Sequence, residues 1–204
     1  MSLANYTDLQ ASIASWLNHP AATASIPDFI ALAEARIARD LRLRSQVAAV
    51  TLTTTAGVQG VDLPVGWLEF ENLTVTGSPD AQLNYVNIQH LDTKFPSNGY
   101  TGKPVVYSVE GSQVLFGPVP DSAYSISVLY YKRYDPLSVT PTNWLLTNHP
   151  GIYLFAALCE SAPFLNDDAR ALVWETKYKR DLDALSSSDE DGQFSGSVLK
   201  VRTV

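Results

Sequence analysis

The stretch that decides the fold runs from residue 144 to residue 185 and reads WLLTNHPGIYLFAALCESAPFLNDDARALVWETKYKRDLDAL. It predicts two consecutive helices joined at a proline. Asn148 can cap the first of them, and Pro150 fits its first turn, where a missing N–H costs nothing. Residues 152–159 are apolar on almost every side, which indicates a helix buried over most of its surface. Pro163 is expected to end that helix.

The second predicted helix opens at Asn166, and the aspartates that follow it are favoured by the positive end of the helix dipole. Its buried stripe has helical spacing and consists of Ala171, Trp174, Tyr178, Leu182 and Leu185. Beyond Leu185 the apolar spacing gives way to SSSDEDG at residues 186–192. The helix is therefore expected to end there, and residues 186–204 are predicted to form an extended C-terminal tail.

Two more helices are predicted near the start of the chain. Residues 7–10 have the form of a capping box, and the apolar residues after them recur at helical spacing. A second helix is expected from about Pro27. Its outer side carries Arg36, Arg39 and Arg42 with acidic residues among them. This mixture favours a side that faces solvent or another subunit over a nucleic-acid surface.

Between these helices the apolar residues alternate, as in half-buried strands. Strands are predicted at 50–53, 61–64, 68–76, 83–86, 105–109, 113–116 and 124–131, with a short helix at 87–95. Helices, then strands, then helices indicate an α+β fold. We expect the helices of 1–45 and 143–185 to pack as a small bundle, with a β-rich subdomain at 46–142 inserted between them.

Composition narrows the class of protein. The chain has 204 residues and a net charge of −7, which argues against a basic face that wraps nucleic acid. It does not forbid DNA passing through a neutral or acidic channel. Cys159 is the single cysteine, so an intrachain disulfide is excluded. The longest apolar run falls far short of the ~20 residues of a membrane span, and the N-terminus lacks a signal-peptide pattern. We expect a soluble protein made in a cytoplasm.

Few residues form patterns typical of catalysis or cofactor binding. The three histidines are far apart, and neither metal-ligand spacing, a phosphate-binding glycine loop nor a nucleophile elbow is present. We therefore expect no metal, no cofactor and no enzymatic activity. Glu69 and Glu71 share one face of a predicted strand. Such a pair can cleave a glycosidic bond when a raised pKa makes one member an acid, but the sequence supplies no apolar pocket for either.

The tail carries apolar side chains after its polar start: Phe194, Val198, Leu199 and Val201. Disordered tails usually lack such residues. The pattern favours a segment that orders on a partner, most simply by adding a strand to the edge of that partner's sheet. A frayed terminus is the alternative.

Several stretches together resemble the head-to-tail adaptor (connector) proteins of short-tailed bacteriophages. They are YTDLQ at 6–10, WL at 16–17, IPDFIALAEARI at 26–37, YYKRYDPL at 130–137, WLLTNHPGIYLFAAL at 144–158 and residues 170–185. The resemblance implies a homo-oligomeric ring, usually a dodecamer, docked beneath the portal protein at the virion head–tail junction. Such a ring extends the DNA channel without binding the genome specifically, and it contacts the next tail component, a nozzle or tail tube. In these adaptors the C-terminal segment commonly reaches the portal.

A ring subunit needs two complementary lateral faces rather than a pocket. The candidates for these contacts are Arg36, Arg39 and Arg42 in one helix and Lys177 and Arg180 in another.

Two alternative functions stay open: a virion-associated cell-wall hydrolase that uses Glu69 or Glu71, and a generic cytoplasmic interaction protein. Some relatives of the adaptor family are reported to cleave peptidoglycan, but no residue here maps onto that activity.

Overall fold

The computed structural model describes residues 3–77, 79–97, 99–165 and 168–194; residues 168, 169, 193 and 194 are described by backbone alone. The helices are α1 (Tyr6–Leu17), α2 (Ile26–Asp40), α3 (Ile88–Lys94), α4 (Trp144–Asn148), α5 (Pro150–Leu165) and α6 (Asp168–Phe194). The strands are β1 (Val47–Thr53), β2 (Gly60–Asp62), β3 (Trp67–Val75), β4 (Ala81–Gln82), β5 (Asn84–Tyr85), β6 (Val106–Glu110), β7 (Gln113–Gly117) and β8 (Ser125–Lys132). Short 3-10 turns cover Pro20–Ser25 and Arg44–Gln46. The α+β class is confirmed. No helix of the described ranges is long and apolar enough to cross a membrane.

The chain divides into a helical unit, residues 1–45 and 134–204, and a β unit, residues 46–133. Residues 134–142, which the sequence analysis assigned to the β-rich subdomain, therefore belong to the helical unit. Hydrogen bonds explain this. The Tyr6 N–H donates to the Pro141 carbonyl at 2.8 Å, and the Leu137 N–H donates to the Glu34 carboxylate at 2.7 Å.

In the helical unit, α5 is the central element, with eight of its side chains buried. It packs against α1, α2, α4 and α6. Pro150 begins this helix as predicted. Two other details of the prediction were wrong: Asn148 ends α4 instead of capping α5, and α5 continues past Pro163 to Leu165. Because Pro163 lies close to the C-terminus of α5, its missing N–H removes one hydrogen bond from a helix that is about to end.

The N-terminal caps also differ from the prediction. Asn5, not Thr7, caps α1, because its side-chain oxygen accepts the Asp8 N–H at 2.9 Å. Asn143 does the same for α4 by accepting the Leu146 N–H at 2.8 Å. Each cap satisfies a backbone donor that the first turn of a helix leaves without a partner.

The prediction that the last helix ends at Leu185 was wrong, because α6 continues to Phe194. A distant contact holds the added turns. The Asp189 carboxylate accepts the Arg44 backbone N–H at 3.0 Å and the Arg44 Nε–H at 3.1 Å. Serine, aspartate and glycine form helices poorly by themselves, but tertiary contacts override such local preferences.

The β unit contains two four-stranded sheets, with strand orders β1-β8-β3-β4 and β2-β7-β6-β5. All the pairs are antiparallel except β5 with β6. Strand β8 alternates exposed and buried side chains along most of its length, so one face lies in the core. That core consists of Leu73, Val75, Leu83, Val114, Phe116, Ile126, Val128 and Tyr130. The predicted strand at 83–86 is instead two short strands, β4 and β5.

Strand β3 is irregular where it pairs with β8. The register shifts between Trp67 and Glu69 and again between Phe70 and Asn72. Each shift leaves one extra residue on β3 and changes which side chains share a face.

Candidate functional site

Arg36 contacts acidic and aromatic side chains on three helices of the helical unit. Its Nη2 lies 2.6 Å from both carboxylate oxygens of Glu175, and its Nη1 lies 3.4 Å from the Glu160 carboxylate. Its Nε is 3.6 Å from Asp40, and the guanidinium is 4.4 Å from the centre of the Tyr178 ring. Because these partners lie on α2, α5 and α6, Arg36 links the three helices. We call this group the Arg36 cluster.

Two side chains at the Arg36 cluster, Glu175 and Cys159, have shifted pKa values. Hydrogen bonds from Arg36 lower the pKa of Glu175, although partial burial opposes them. Burial raises the pKa of Cys159 to about 12, and the negative charge of Glu175 adds to this effect while Arg36 opposes it. The Cys159 thiol therefore stays protonated at neutral pH. It packs against the core and is unsuited to act as a nucleophile.

The other predicted interface residues divide by exposure. Arg42 follows the C-terminus of α2, and its Nη1 donates to the carbonyls of Ala38 and Leu41 at 2.7 and 2.8 Å. Arg39 and Arg180 are 73% and 71% exposed and contact only the neighbouring aspartates Asp40 and Asp181 among the ion pairs described.

Lys177 lies between these extremes. Its Nζ is 5.1 Å from the centre of the Phe155 ring. Arg36 and Arg42 are thus bound largely within the subunit, whereas Arg39 and Arg180 present charge at the surface. A role of these residues in subunit contact stays a prediction.

Most of the predicted partner-binding tail falls outside the described ranges. Val198, Leu199 and Val201 lie outside the described residues. Phe194 is the last residue of α6, and only its backbone is described. Its role and theirs also stay predictions.

Glu69 and Glu71 are both exposed on β3. Glu69 lies at the rim of a groove of about 400 Å³ that is otherwise lined by Trp67, Phe70, Tyr85, Tyr107 and Val109. We call it the aromatic groove. Sequence reasoning missed it, because its rings come from β3, β5 and β6 and because Trp67 and Phe70 have the wrong spacing for one face of a regular strand. Burial raises the pKa of Tyr107, and its neighbours Tyr85 and Glu69 add to the effect. The phenol is therefore neutral at pH 7.

In the described ranges, no three His, Cys, Asp or Glu side chains lie close enough together to hold a metal ion. The three histidines lie in different places. His19 and His149 stand at helix boundaries of the helical unit, and His90 lies in α3 of the β unit. What the geometry offers is surface for protein contacts: the exposed charges of the helical unit and the aromatic groove of the β unit.

Surfaces for protein contacts, as described above, suit a structural adaptor. Comparison with protein families also identifies an adaptor. The family model described as SU10 adaptor protein matches residues 4–201. The chain belongs to this family of phage head-to-tail adaptors, which confirms the resemblance drawn from the sequence. The SU10 adaptor family is a family of structural phage proteins. No curated protein matches the chain.

Proposed function

We propose that the chain forms a dodecameric ring beneath the portal protein, at the head–tail junction of the virion. There it extends the DNA channel and presents a platform to the next tail component, a nozzle or tail tube. The observation that carries the proposal is the family match over residues 4–201, because it includes both the helical unit and the β unit. After synthesis in the host cytoplasm, the subunits assemble by contacts between themselves and with the portal.

A closed ring requires two different faces on each subunit that fit one another. Arg39 and Arg180 supply exposed positive charges for one of these faces. The same two helices, α2 and α6, also carry exposed apolar side chains. Leu32 on α2 is 52% exposed, and Leu172 and Val173 on α6 are 71% and 53% exposed. Burying the part of one such side chain that is still exposed stabilises a contact by about 1–2 kcal/mol.

These apolar residues lie at one level of the helical unit. Arg36 contacts Glu175, and Asp40 accepts a hydrogen bond from the Tyr178 hydroxyl, so α2 and α6 run side by side in the same direction. Leu32 precedes Arg36 by about one helical turn, and Leu172 precedes Glu175 by about one turn. We therefore place the lateral contact on this edge of α2 and α6.

Assembly tests this placement. The variant Leu172→Asp should lower the fraction of ring-sized particles in analytical ultracentrifugation and electron microscopy. Val139→Asp is the matched control, because Val139 is also in the helical unit and is 77% exposed. If both variants form rings equally well, the lateral contact does not lie on this edge of α2 and α6.

Docking on the portal is assigned to the C-terminal end of the chain. Its proposed contacts are Phe194, the last residue of α6, and Val198, Leu199 and Val201 in the segment after it. The segment carries Lys200 and Arg202 and no acidic residue, in contrast to the acidic chain as a whole. Apolar residues interspersed with two cations suit the edge of an acidic sheet. The negative balance of the chain fits a channel through which DNA slides, since clustered cations would hold its phosphates. A lumen lined with Arg and Lys would refute that last point.

The direct experiment is co-sedimentation with purified portal rings. The deletion should begin after Phe194 and not after Leu185, because Asp189 contacts Arg44 and helps to hold α6. The full chain should bind at one copy per portal subunit, and the chain that ends at Phe194 should bind weakly. A triple variant with Val198, Leu199 and Val201 changed to Ser should match the deletion.

Changing Ser195, Ser197 and Thr203 to Ala provides the matched control for that triple variant and should leave binding intact. Equal binding by the deletion and the full chain would assign docking to the folded body. No binding by any form would refute the portal contact.

A further inference from the structure

Strand β1 has one side that no other strand of the described ranges covers. It pairs with β8 along its whole length, and the sheet order β1-β8-β3-β4 leaves its other side as the edge of the sheet. The other edge strands of the β unit are short, with three residues in β2 and two each in β4 and β5. With seven residues, and with no charge, proline or register shift, β1 lacks the usual features that keep an edge from pairing.

Hydrogen bonds next to β1 show which of its backbone groups point outward. The Thr54 N–H donates to the Tyr124 carbonyl at 3.0 Å. Hydrogen-bonded pairs alternate along an antiparallel ladder, so the N–H and C=O of Thr53 point away from β8. Its partner Ser125 accordingly accepts a hydrogen bond on its other side, from the Thr76 N–H at 2.8 Å. By the same alternation, the donors and acceptors of the outer edge include those of Ala49, Thr51 and Thr53, which are also exposed.

The two faces of β1 require different side chains from a strand added at this edge. Ala48, Val50 and Leu52 pack against the core of the β unit but are only half-buried. An added strand would extend the cover over that core, so every second side chain should be apolar. The side chains between them would lie beside the exposed residues of β1 and can be polar.

The segment after α6 has this pattern. Residues 198–204 read VLKVRTV, and four of these seven residues are β-branched, which favours a strand. In an extended chain, Leu199 and Val201 lie on one face, and Lys200 and Arg202 lie on the other.

The end of α6 lies against Arg44, which precedes the first residue of β1 by three positions. Asp189 accepts two hydrogen bonds from Arg44, and a Cβ atom at Gly192 would overlap the Arg44 guanidinium. The ten residues 195–204 can reach about 33 Å when extended, whereas a seven-residue strand spans about 23 Å. After a link of three residues, the segment is therefore long enough to run along β1 from its first residue.

We propose that residues 198–204 add to the outer edge of β1 in the same chain, as a parallel fifth strand of that sheet. The register places Lys200 beside Ala49 and Val201 beside Val50. The tether gives the segment an effective concentration in the millimolar range, which favours it over the β1 edge of a second copy. The proposal concerns the subunit before it meets a portal, so it is independent of whether the segment later docks there.

The first test is hydrogen exchange of the full chain without a portal, resolved to single amides. The outward amides of β1 should exchange about tenfold or more slowly in the wild type than in a variant with Leu199→Ser and Val201→Ser. The matched control, with Lys200→Ser and Arg202→Ser, should keep the slow exchange, because those side chains face solvent. Equal exchange in the wild type and the Leu199 and Val201 variant would overturn the proposal.

The second test traps the register with a disulfide in a chain that carries Cys159→Ala. Neighbouring strands lie about 5 Å apart, so Ala49→Cys with Lys200→Cys should form a bond within one chain under mild oxidation. Ala49→Cys with Val201→Cys is the control and should form little, because Val201 faces the other side of the sheet. Equal trapping in both pairs, or no trapping in either, would overturn the proposal. Bonds between chains would assign the edge to another copy and refute the contact within one chain.

Discussion

Replacing Arg36 by Ala should destabilise the helical unit more than any exposed charge change. The substitution leaves Glu175 and Glu160 without the guanidinium that lies between them. Breaking a buried ion pair by removing one partner costs about 3–5 kcal/mol. Here Arg36 is 17% exposed and Glu175 is 29% exposed, so solvent screening reduces the expected loss to about 2–3 kcal/mol, including the lost stacking on Tyr178.

The assay for this prediction is urea unfolding followed by tryptophan fluorescence. Three of the four tryptophans, Trp16, Trp144 and Trp174, lie in the helical unit, so the signal reports mainly on it. Arg39→Ala is the matched control on the same helix and should change the free energy of unfolding by less than about 0.5 kcal/mol. If Arg36→Ala and Arg39→Ala unfold at the same urea concentration, the Arg36 cluster does not stabilise the fold as argued.

The pH dependence gives a second check on the Arg36 cluster. The pKa of Glu175 is lowered in the folded chain, so its stabilising effect is fully present above the unfolded value of about 4.3. The effect is lost as the pH falls through the lowered folded value. The stability difference between the wild type and Arg36→Ala should therefore narrow below about pH 4. A difference that stays constant down to pH 2 would contradict the assignment of Glu175 as the main partner.

Three further predictions follow from single contacts. Because burial raises the pKa of Cys159 to about 12, iodoacetamide at pH 8 should modify it more than a hundredfold more slowly in the folded chain than in urea. Asn143→Ala removes the cap of α4 and the donor to the Tyr153 hydroxyl, so urea unfolding should show a loss of about 1–2 kcal/mol. The exposed Asn148→Ala should cost less than about 0.5 kcal/mol. Asp189→Ala should speed hydrogen exchange in residues 186–194 and leave exchange in α5 unchanged, and uniform exchange rates would show that Arg44 does not hold this end of α6.

Local patterns predicted the elements that have one buried face. Strand β8 was predicted because polar and apolar residues alternate over most of its length, and α5 because apolar residues surround it. The predicted short helix after Asn87 is also confirmed, with Asn87 accepting the Gln89 N–H at 2.8 Å. In each case the residues that decide the element lie within it.

Features that depend on distant residues were missed. Helical spacing placed Arg36 on the outer side of α2, but its long side chain reaches a carboxylate 139 residues away. The end of α6 depends on Arg44, and the aromatic groove depends on the register between β3 and β8. A sequence pattern shows which face a residue occupies in a regular element. It does not show where a strand carries an extra residue relative to its partner. Such an extra residue on β3 is what brings Trp67 and Phe70 to the same face.

The insertion of the β unit into the helical unit has a consequence for synthesis on the ribosome. The two ends of the insertion meet within the helical unit, where the Ser45 and Tyr134 hydroxyls are 3.0 Å apart. Helices α1 and α2 leave the ribosome first, but α5, which covers their apolar faces, follows the whole β unit. At bacterial translation rates of about 5–20 residues per second, those apolar faces stay uncovered for roughly 5–20 s until α5 has been synthesised. During that interval the nascent chain exposes the kind of surface that chaperones bind, while the contiguous β unit is already free to fold.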